Sequence, residues 1–313
     1  MKRLLLLSLL ITTSLVAQSA PVASAATNPL RTRELLWQKL TNDVTKIQSS
    51  FDGVMGVTIR DLTDGHELLI NADEVFPTAS SIKISLLVEL YRQSQSGQGA
   101  KLSDLYTVRK EDMVPDSAIM ENLTPGVSRI TNRDLAGFVV AVSDNAATNV
   151  LIDRVGMESV NRTLDTLGLH QTRLRRKMMD LDAARQGREN IATPREMAAL
   201  LEMIYRDKVL NKESSDDFLK LLSTPKNSPI PKLIPEGVRI ANKPGELAGV
   251  RNDQGIVFVK NRPFVISVMT SYAADERSAN KAISEIAKKA YDYFDMVGSA
   301  SVYGRIISPA NSR

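Results

Sequence analysis

The string Phe76-Pro77-Thr78-Ala79-Ser80-Ser81-Ile82-Lys83 largely decides how this chain is interpreted. Apolar residues recur at helical spacing from Ile82 to Tyr91, so the string ends where a helix begins. Residues three apart share a helix face, which lets Ser80 and Lys83 meet. A serine hydroxyl becomes nucleophilic when a base takes its proton, and a lysine can be that base once burial lowers its pKa. The helix start adds backbone N–H groups that suit an oxyanion.

Two more polar strings lie far along the chain. Ser143-Asp144-Asn145 follows an apolar run, and its serine could pass a proton between Lys83 and a leaving nitrogen while Asn145 orients a substrate amide. Lys243-Pro244-Gly245 ends a predicted strand, where Lys243 could hold a carboxylate or tune Ser143, and Gly245 would let substrate approach the backbone. Each string alone is more often a cap or an ordinary turn. Their combination in this order favours an active site.

The predicted elements group by type along the chain. The beginning reads as a helix followed by a two-stranded hairpin, the middle as a series of helices, and the end as three strands and a long amphipathic helix. We therefore predict an α+β fold in which one antiparallel sheet, built from both chain ends and flanked by helices, adjoins a helical lobe. The expected boundaries are 34–78 and 226–297 for the α/β lobe, 79–225 for the helical lobe, and 298–313 for a flexible tail.

The first residues have the pattern of an export signal. Lys2 and Arg3 precede the apolar stretch Leu4 to Val16, and Ala23-Ser24-Ala25 offers a small-residue cleavage site. The apolar stretch is shorter than the ~20 residues that a spanning helix needs. We expect residues 1–25 to be removed, 26–33 to form a tether, and the mature chain to be periplasmic or secreted without a membrane span.

Composition narrows the chemistry. The chain has no cysteine, which excludes disulfides, thiolate catalysis and cysteine-ligated zinc. A net charge of +4, from 40 basic and 36 acidic residues, argues against a nucleic-acid partner. His66 and His170 are the two histidines, both in predicted loops, so neither a Ser-His-Asp triad nor a histidine metal site is favoured. We expect no cofactor, no metal and a monomeric chain.

From about residue 33 to 297 the chain resembles the class A β-lactamases and the penicillin-binding protein superfamily. The similarity lies in the strings at 76–83 and 143–149, in Leu123-Thr124-Pro125-Gly126 and in Thr193-Pro194. The resemblance implies that Ser80 is acylated and that Lys83 and Ser143 move protons. It also implies that Lys243 binds the substrate carboxylate region, and that the N–H groups of Ser80 and Glu246 form an oxyanion hole.

The chain departs from the family pattern at three positions. Lys177 occupies the place of a loop glutamate that activates the deacylating water, with Asp180 and Asp182 as nearby stand-ins. Pro244 replaces a hydroxyl residue, which would move carboxylate binding towards Arg251. Asn190 replaces a bracing aspartate, so it would hydrogen-bond Arg175 without forming an ion pair.

Three functions follow from these residues. The first is a β-lactam-hydrolysing enzyme that forms a Ser80 acyl-enzyme and deacylates slowly, since a positioned general base contributes ~10²–10⁴-fold. The second is a D-Ala-D-Ala peptidase or another penicillin-binding amidase or esterase, acting on acyl-D-Ala-D-Ala groups. The third is a non-catalytic cell-wall binding module.

Overall fold

The computed structural model describes residues 30–307. The expected export signal, residues 1–25, lies outside the described residues, as do residues 26–29 of the expected tether and the last six residues of the tail. Within residues 30–307, no helix combines the length and the apolar composition that crossing a bilayer requires.

Five antiparallel strands form the main sheet, in the order β2-β1-β9-β8-β7. They are β1 (Val54–Asp61), β2 (Glu67–Ile70), β7 (Ile240–Leu247), β8 (Val250–Val257) and β9 (Phe264–Ser271). The first two strands join the last three through β1 and β9, which pair along their whole lengths. The predicted α+β fold, with one antiparallel sheet assembled from both chain ends, is therefore confirmed.

Helices cover both faces of this sheet. The first helix α1 (Arg31–Ser49) and the last helix α9 (Glu276–Gly298) pack together on one face, in a core that includes Trp37, Ile266 and Phe294. Helix α7 (Pro194–Tyr205) packs on the other face. Thr193 caps α7 by accepting a hydrogen bond from the Glu196 N–H, as the sequence of this helix start predicts.

The middle of the chain supplies the helical part. Its helices are α2 (Lys83–Ser96), α3 (Asn132–Ala141), α4 (Asn145–Val155), α5 (Met157–Thr166), α6 (Leu181–Arg185) and α8 (Lys212–Leu222), and its short strands are β3 (Phe76–Pro77), β4 (Leu105–Thr107), β5 (Arg129–Thr131) and β6 (Ile191–Ala192). They share a second core, which includes Leu87, Leu151 and Leu201 and reaches the sheet at Met269. The two cores lie on opposite faces of the main sheet, and Phe76 and Ile82 of the Ser80 string belong to the second core.

Three element bounds differ from expectation. Helix α1 already begins at Arg31, within the stretch expected as a tether. Ala300 pairs with Ile306, so the described part of the tail contains a β-bridge. Strand β7 does not end at Pro244-Gly245 but continues to Leu247. Strand β7 is an edge strand, which is where a proline without an N–H is tolerated.

Candidate active site

Ser80 lies in a short 3-10 helix, Ala79–Ile82, that leads directly into α2. This turn is fixed from behind, because Thr78 donates from its N–H to the Asn190 carbonyl at 2.9 Å and Ser81 Oγ donates to the Thr78 carbonyl at 2.7 Å. Ala79 adopts a φ of +49°, a conformation that non-glycine residues rarely take. Backbone strain of this kind persists where surrounding contacts impose it, and it clusters at functional sites.

Strand β7 touches the Ser80 turn at Gly245. A Cβ atom at this position would lie 2.5 Å from the Thr78 carbonyl oxygen and 2.9 Å from the Ser81 nitrogen. Glycine is therefore required so that the strand can approach the turn. The same Cβ would also lie 3.1 Å from the Ala79 Cβ, and Gly245 itself is buried.

Lys83 is fully buried below the pocket (0% exposed). Its Nζ donates to the Ser143 carbonyl at 2.6 Å, to Asn145 Oδ1 at 2.9 Å and to Ser143 Oγ at 3.1 Å. No hydrogen bond to the hydroxyl of Ser80 occurs among the described residues. The amine expected to serve Ser80 is thus anchored on the Ser143 string.

Ser143 is shared between two lysines. Lys243 Nζ donates to Ser143 Oγ at 3.0 Å, while Lys83 Nζ lies 3.1 Å from the same oxygen. Ser143 has a φ of +58°, and the next residue, Asp144, caps α4 by accepting from the Ala147 N–H at 2.9 Å. These contacts join the Ser143 and Lys243 strings through a continuous Lys–Ser–Lys chain.

A pocket of about 640 Å³ opens above this chain. It is lined by Ser80, Asp116, Val140, Ala141, Val142, Ser143, Asn145, Lys226, Asn227, Lys243, Pro244 and Glu246. Of the eight predicted site residues, five line it, namely Ser80, Ser143, Asn145, Lys243 and Glu246. Lys83 lies beneath the pocket and Gly245 behind it.

Arg251 does not reach the pocket, so the expectation that it binds the substrate carboxylate is corrected. Its guanidinium donates to the carbonyls of Leu247 and Val250 at 2.8 and 2.7 Å and forms an ion pair with Glu276. Only 7% of the residue is exposed. The arginine stabilises the turn between β7 and β8.

The backbone of β7 presents alternate residues to the pocket edge. Phe258 N–H donates to the Arg239 carbonyl, one register step before the pair Ile240 and Val257. Opposed residues of an antiparallel pair alternate between bonded and non-bonded positions. Lys243 therefore bonds towards β8, whereas the backbone groups of Pro244 and Glu246 face the open edge. Pro244 costs the ladder no hydrogen bond, and the Glu246 N–H is left free of the ladder.

Burial sets the charge state of the pocket lysines. It lowers the pKa of Lys83 well below its ordinary value, and the positive charge of Lys243 acts in the same direction. Burial also lowers the pKa of Lys243 to about 7 and that of Lys226 to about 8. A neutral Lys83 amine can accept a proton near neutral pH, which is the condition for a general base.

The loop between α5 and β6 brings no carboxylate to the pocket. Lys177 turns to Asp153, with Nζ 2.6 Å from Oδ1. Asp180 caps α6 by accepting from the Ala183 N–H, and Asp182 pairs with Arg185. Among the described residues, the acids that line the pocket are Asp116 and Glu246, on other segments.

Asn190 hydrogen-bonds Arg175 without an ion pair, as the sequence predicts. Asn190 Oδ1 accepts from the backbone N–H groups of Arg175 and Arg176 at 2.7 and 3.0 Å, so it binds the backbone of Arg175. The ion pair belongs instead to Arg176 and Glu189, at 2.6 Å. The asparagine oxygen can accept from two N–H groups as a carboxylate does. The negative charge is supplied by the preceding residue, Glu189.

Sequence reasoning missed two charged pocket residues. Lys226 projects from the segment after α8, where its Nζ donates to the Leu222 carbonyl at 2.7 Å. Asp116 belongs to the segment between β4 and β5, and its carbonyl accepts from the Asn145 N–H. Neither lies in a recognisable motif, and the fold alone brings them to the pocket. Within the described range, no group of three or more histidine, aspartate or glutamate side chains could hold a metal ion.

The fold and this site place the chain in the superfamily of class A β-lactamases. It belongs to the Beta-lactamase enzyme family, whose sequence profile matches residues 39–294. It is similar to β-lactamase ROB-1 of Haemophilus influenzae, with 28% identity over 280 residues that cover 87% of each chain. It is also similar to β-lactamase SME-1 of Serratia marcescens, with 26% identity over 80% of this chain and 88% of that protein.

Two solved structures show the same likeness. The β-lactamase of Sphaerobacter thermophilus superimposes with a TM-score of 0.74 and is 32% identical, over 81% of this chain and 96% of that chain. The structure of PBP-A has a TM-score of 0.75 and 26% identity, over 82% and 96% of the two chains. A PBP-A mutant has also been solved as an acyl-enzyme complex with penicillin G.

Proposed function

We propose that this protein opens β-lactam amides by acylation of Ser80 and releases the acyl group slowly. The observation that carries the proposal is the Lys83–Ser143–Lys243 chain beside Ser80, in a pocket to which the loop 174–190 contributes no carboxylate. The first feature supports acylation and the second supports slow hydrolysis. Export of the mature chain, inferred from residues 1–25, fits a substrate met outside the cytoplasm.

The acylation step uses Ser80 as nucleophile. Its Oγ attacks the amide carbonyl carbon while its proton passes to Lys83 Nζ, whose pKa burial lowers, so that the proton-accepting neutral form is favoured. The carbonyl oxygen becomes an oxyanion that the N–H groups of Ser80 and Glu246 stabilise; the latter faces the open edge of β7. Resting-state distances between such groups commonly shorten when substrate binds.

The leaving step uses Ser143. The carbon–nitrogen bond breaks, and the amide nitrogen takes a proton from Ser143 Oγ, which recovers one from Lys83 Nζ at 3.1 Å. The proton taken from Ser80 thus ends on the leaving nitrogen, and Lys83 returns to its neutral form. Asn145 Oδ1 accepts a hydrogen bond from Lys83, and Asn145 Nδ2 donates one to the Pro115 carbonyl.

Two lysines suit an anionic substrate. Lys243 and Lys226 both line the pocket, whereas Arg251 is sequestered by Glu276. We assign the carboxylate of the substrate to these two amines, with Lys226 in the role that the sequence suggested for Arg251. An ammonium binds a carboxylate as a point charge, without the paired geometry of a guanidinium.

A peptidase acting on acyl-D-Ala-D-Ala groups is the second candidate. The same missing carboxylate favours it, because such an enzyme passes its acyl group on without a dedicated hydrolytic base. The likeness to PBP-A is consistent with this alternative. A purely binding role is disfavoured by the Lys–Ser–Lys chain, because burying two lysines costs free energy that a binding module has no need to spend.

Intact-mass spectrometry over time tests the proposal. Mature protein incubated with benzylpenicillin is expected to gain the mass of one drug molecule, localised to Ser80, and to keep it for minutes or longer. Ser80→Ala should gain nothing, whereas Ser85→Ala, which removes a buried hydroxyl further along α2, serves as the matched control.

The outcomes separate the candidates. An adduct that disappears within seconds contradicts slow release, and the absence of any adduct contradicts acylation altogether. Release that is accelerated by an added D-amino acid, with formation of a new amide, identifies the peptidase.

A further inference from the structure

A buried carboxylate lies beneath the pocket floor, and the reaction steps above do not use it. Asp253 is on β8 opposite Pro244, and it is fully buried (0% exposed). Its oxygens accept hydrogen bonds from Asn242 Nδ2 at 2.8 and 3.0 Å and from the Ile230 N–H at 2.9 Å. No described cation lies within ion-pair distance of it. An acid buried without a direct counter-ion costs stability, so its presence calls for an explanation.

Asn242 connects this acid to the pocket. Its Nδ2 donates to Asp253 and, at 2.8 Å, to Ser228 Oγ, which leaves its Oδ1 for Lys226 Nζ at the long distance of 3.5 Å. An ionised carboxylate only accepts hydrogen bonds, so Asp253 decides which end of the amide faces the lysine. The Leu222 carbonyl holds Lys226 from the other side at 2.7 Å.

The charged groups that face Asp253 are the two pocket lysines. Lys226 and Lys243 both act on it, whereas β9 places Val268 opposite it and α9 contributes the hydroxyl of Ser284, which donates to Pro229. Lys243 also lies near Lys83 and Glu246. Burial raises the pKa of Asp253 to about 6, so the group is ionised at neutral pH and opposes the loss of protons from both lysines.

We propose that Asp253 is a positioning residue that supplies the counter-charge for Lys226 and Lys243 and, through Asn242, holds Lys226 in the pocket for the anionic group of the substrate. The catalytic consequence rests on the proposed function, whereas the charge coupling can be measured without it. Asp253 itself touches no reacting atom.

The sign of the effect follows from the charges. Above about pH 6 the wild-type carboxylate is ionised and favours protonated lysines. In Asp253→Asn this charge is absent, so both lysines lose their protons at lower pH. The variant and the wild type should differ little below pH 6, where Asp253 is protonated and the lysines are charged in either protein.

The first experiment measures the second-order rate of Ser80 acylation by benzylpenicillin from pH 5 to 9. In Asp253→Asn the alkaline limb is expected about one pH unit lower, the size expected for charges several ångströms apart inside a protein. Asp61→Asn is the matched control, because Asp61 is also fully buried but pairs with Arg262 at the far end of β1. If the alkaline limb of the rate profile of Asp253→Asn coincides with that of the wild type, the proposal is overturned. It is also overturned if the acylation rate falls by the same factor at every pH in both variants.

The second experiment titrates the Lys226 amine by NMR in protein labelled with ¹⁵N-lysine, with the signal assigned through Lys226→Arg. The pKa of Lys226 should fall in Asp253→Asn and stay unchanged in Asp61→Asn. This result does not depend on acylation, so a wild type that fails to acylate refutes the proposed function alone. A Lys226 pKa that is equal in wild type and Asp253→Asn refutes the role of Asp253.

A further variant covers the case in which Asp253→Asn does not fold. Asn242→Ala keeps Asp253 but removes the amide that joins it to Lys226, together with the hydrogen bonds from that amide to Asp253 and Ser228. It should weaken penicillin binding and leave the acylation step of bound drug nearly unchanged. Binding equal to wild type removes Asn242 from the proposal.

Discussion

Three amines meet in one pocket, and their surroundings give them different tasks. Lys83 is held by Ser143 and Asn145, and burial lowers its pKa well below the ordinary value. Lys243 and Lys226, with pKa values lowered to about 7 and 8, keep part of their charge at neutral pH. The proposed roles, proton transfer for Lys83 and anion binding for the other two, follow from these different surroundings.

At the residue scale we predict that Lys226→Ala weakens binding of carboxylated β-lactams by about fivefold, with little change in the acylation rate of bound drug, since one partly solvated charge–charge contact is worth about 1 kcal/mol. The dependence of acylation rate on drug concentration separates the two constants. Lys232→Ala, which removes an exposed lysine on the nearby 3-10 helix, is the control. Equal affinity of Lys226→Ala and wild type would mean that a group other than Lys226 binds the substrate carboxylate.

The sequence predicts which side chains belong to the site when they lie in a motif. It does not predict those that only the packing of distant elements brings to the pocket. Ser80, Ser143, Asn145 and Lys243 belong to strings whose spacing carries chemistry, and all four line the pocket. Arg251 was chosen for its charge, but Glu276 comes from the distant helix α9, and its pairing with Arg251 leaves no sequence signal.

Strand β7 organises the site at the scale of elements. Its Gly245 lies against the Ser80 turn, its Lys243 reaches Ser143, and the backbone at Glu246 faces the open edge. The sequence predicted the strand but ended it at Pro244. A proline terminates a strand only where its missing N–H was needed, and the bonding parity that decides this depends on the partner β8.

We predict that Gly245→Ala lowers the acylation rate of Ser80 by about 100-fold or more, because the new Cβ would push β7 away from the turn and misplace the oxyanion N–H groups. Benzylpenicillin acylation kinetics and thermal melting check this together. Gly137→Ala in α3 is the matched control, since a Cβ there meets nothing within 4 Å and should stabilise the helix slightly. Wild-type acylation in Gly245→Ala would show that the strand can shift without consequence.

At the scale of the whole molecule, the candidate site holds ionisable groups in the protein interior, where a charge costs free energy. Lys83, Lys243 and Asp253 are each at most 1% exposed. The overall two-part architecture followed from the grouping of strands and helices in the sequence. The burial of these charges did not, because it depends on how closely β7 approaches the helical part.

We predict that Lys243→Met raises the melting temperature at pH 6.5 by several degrees and that this gain shrinks towards pH 10. Below about pH 7 the folded protein must bury a charged Lys243, whereas between about 7 and 10.5 the folded state loses this proton before the unfolded state does, so wild-type stability rises with pH. Calorimetry at a series of pH values measures the trend. Lys212→Met, at an exposed lysine of α8, should show none, and a gain independent of pH would contradict the assigned cause.

The orientation of Lys177 towards Asp153, away from the pocket, has a consequence for the cell that makes this protein. An enzyme that holds each acyl group removes drug in proportion to the number of its molecules, as a titrant does, and the length of exposure adds little. Protection would then scale with expression level and would fail abruptly once the dose exceeds the supply of unreacted chains.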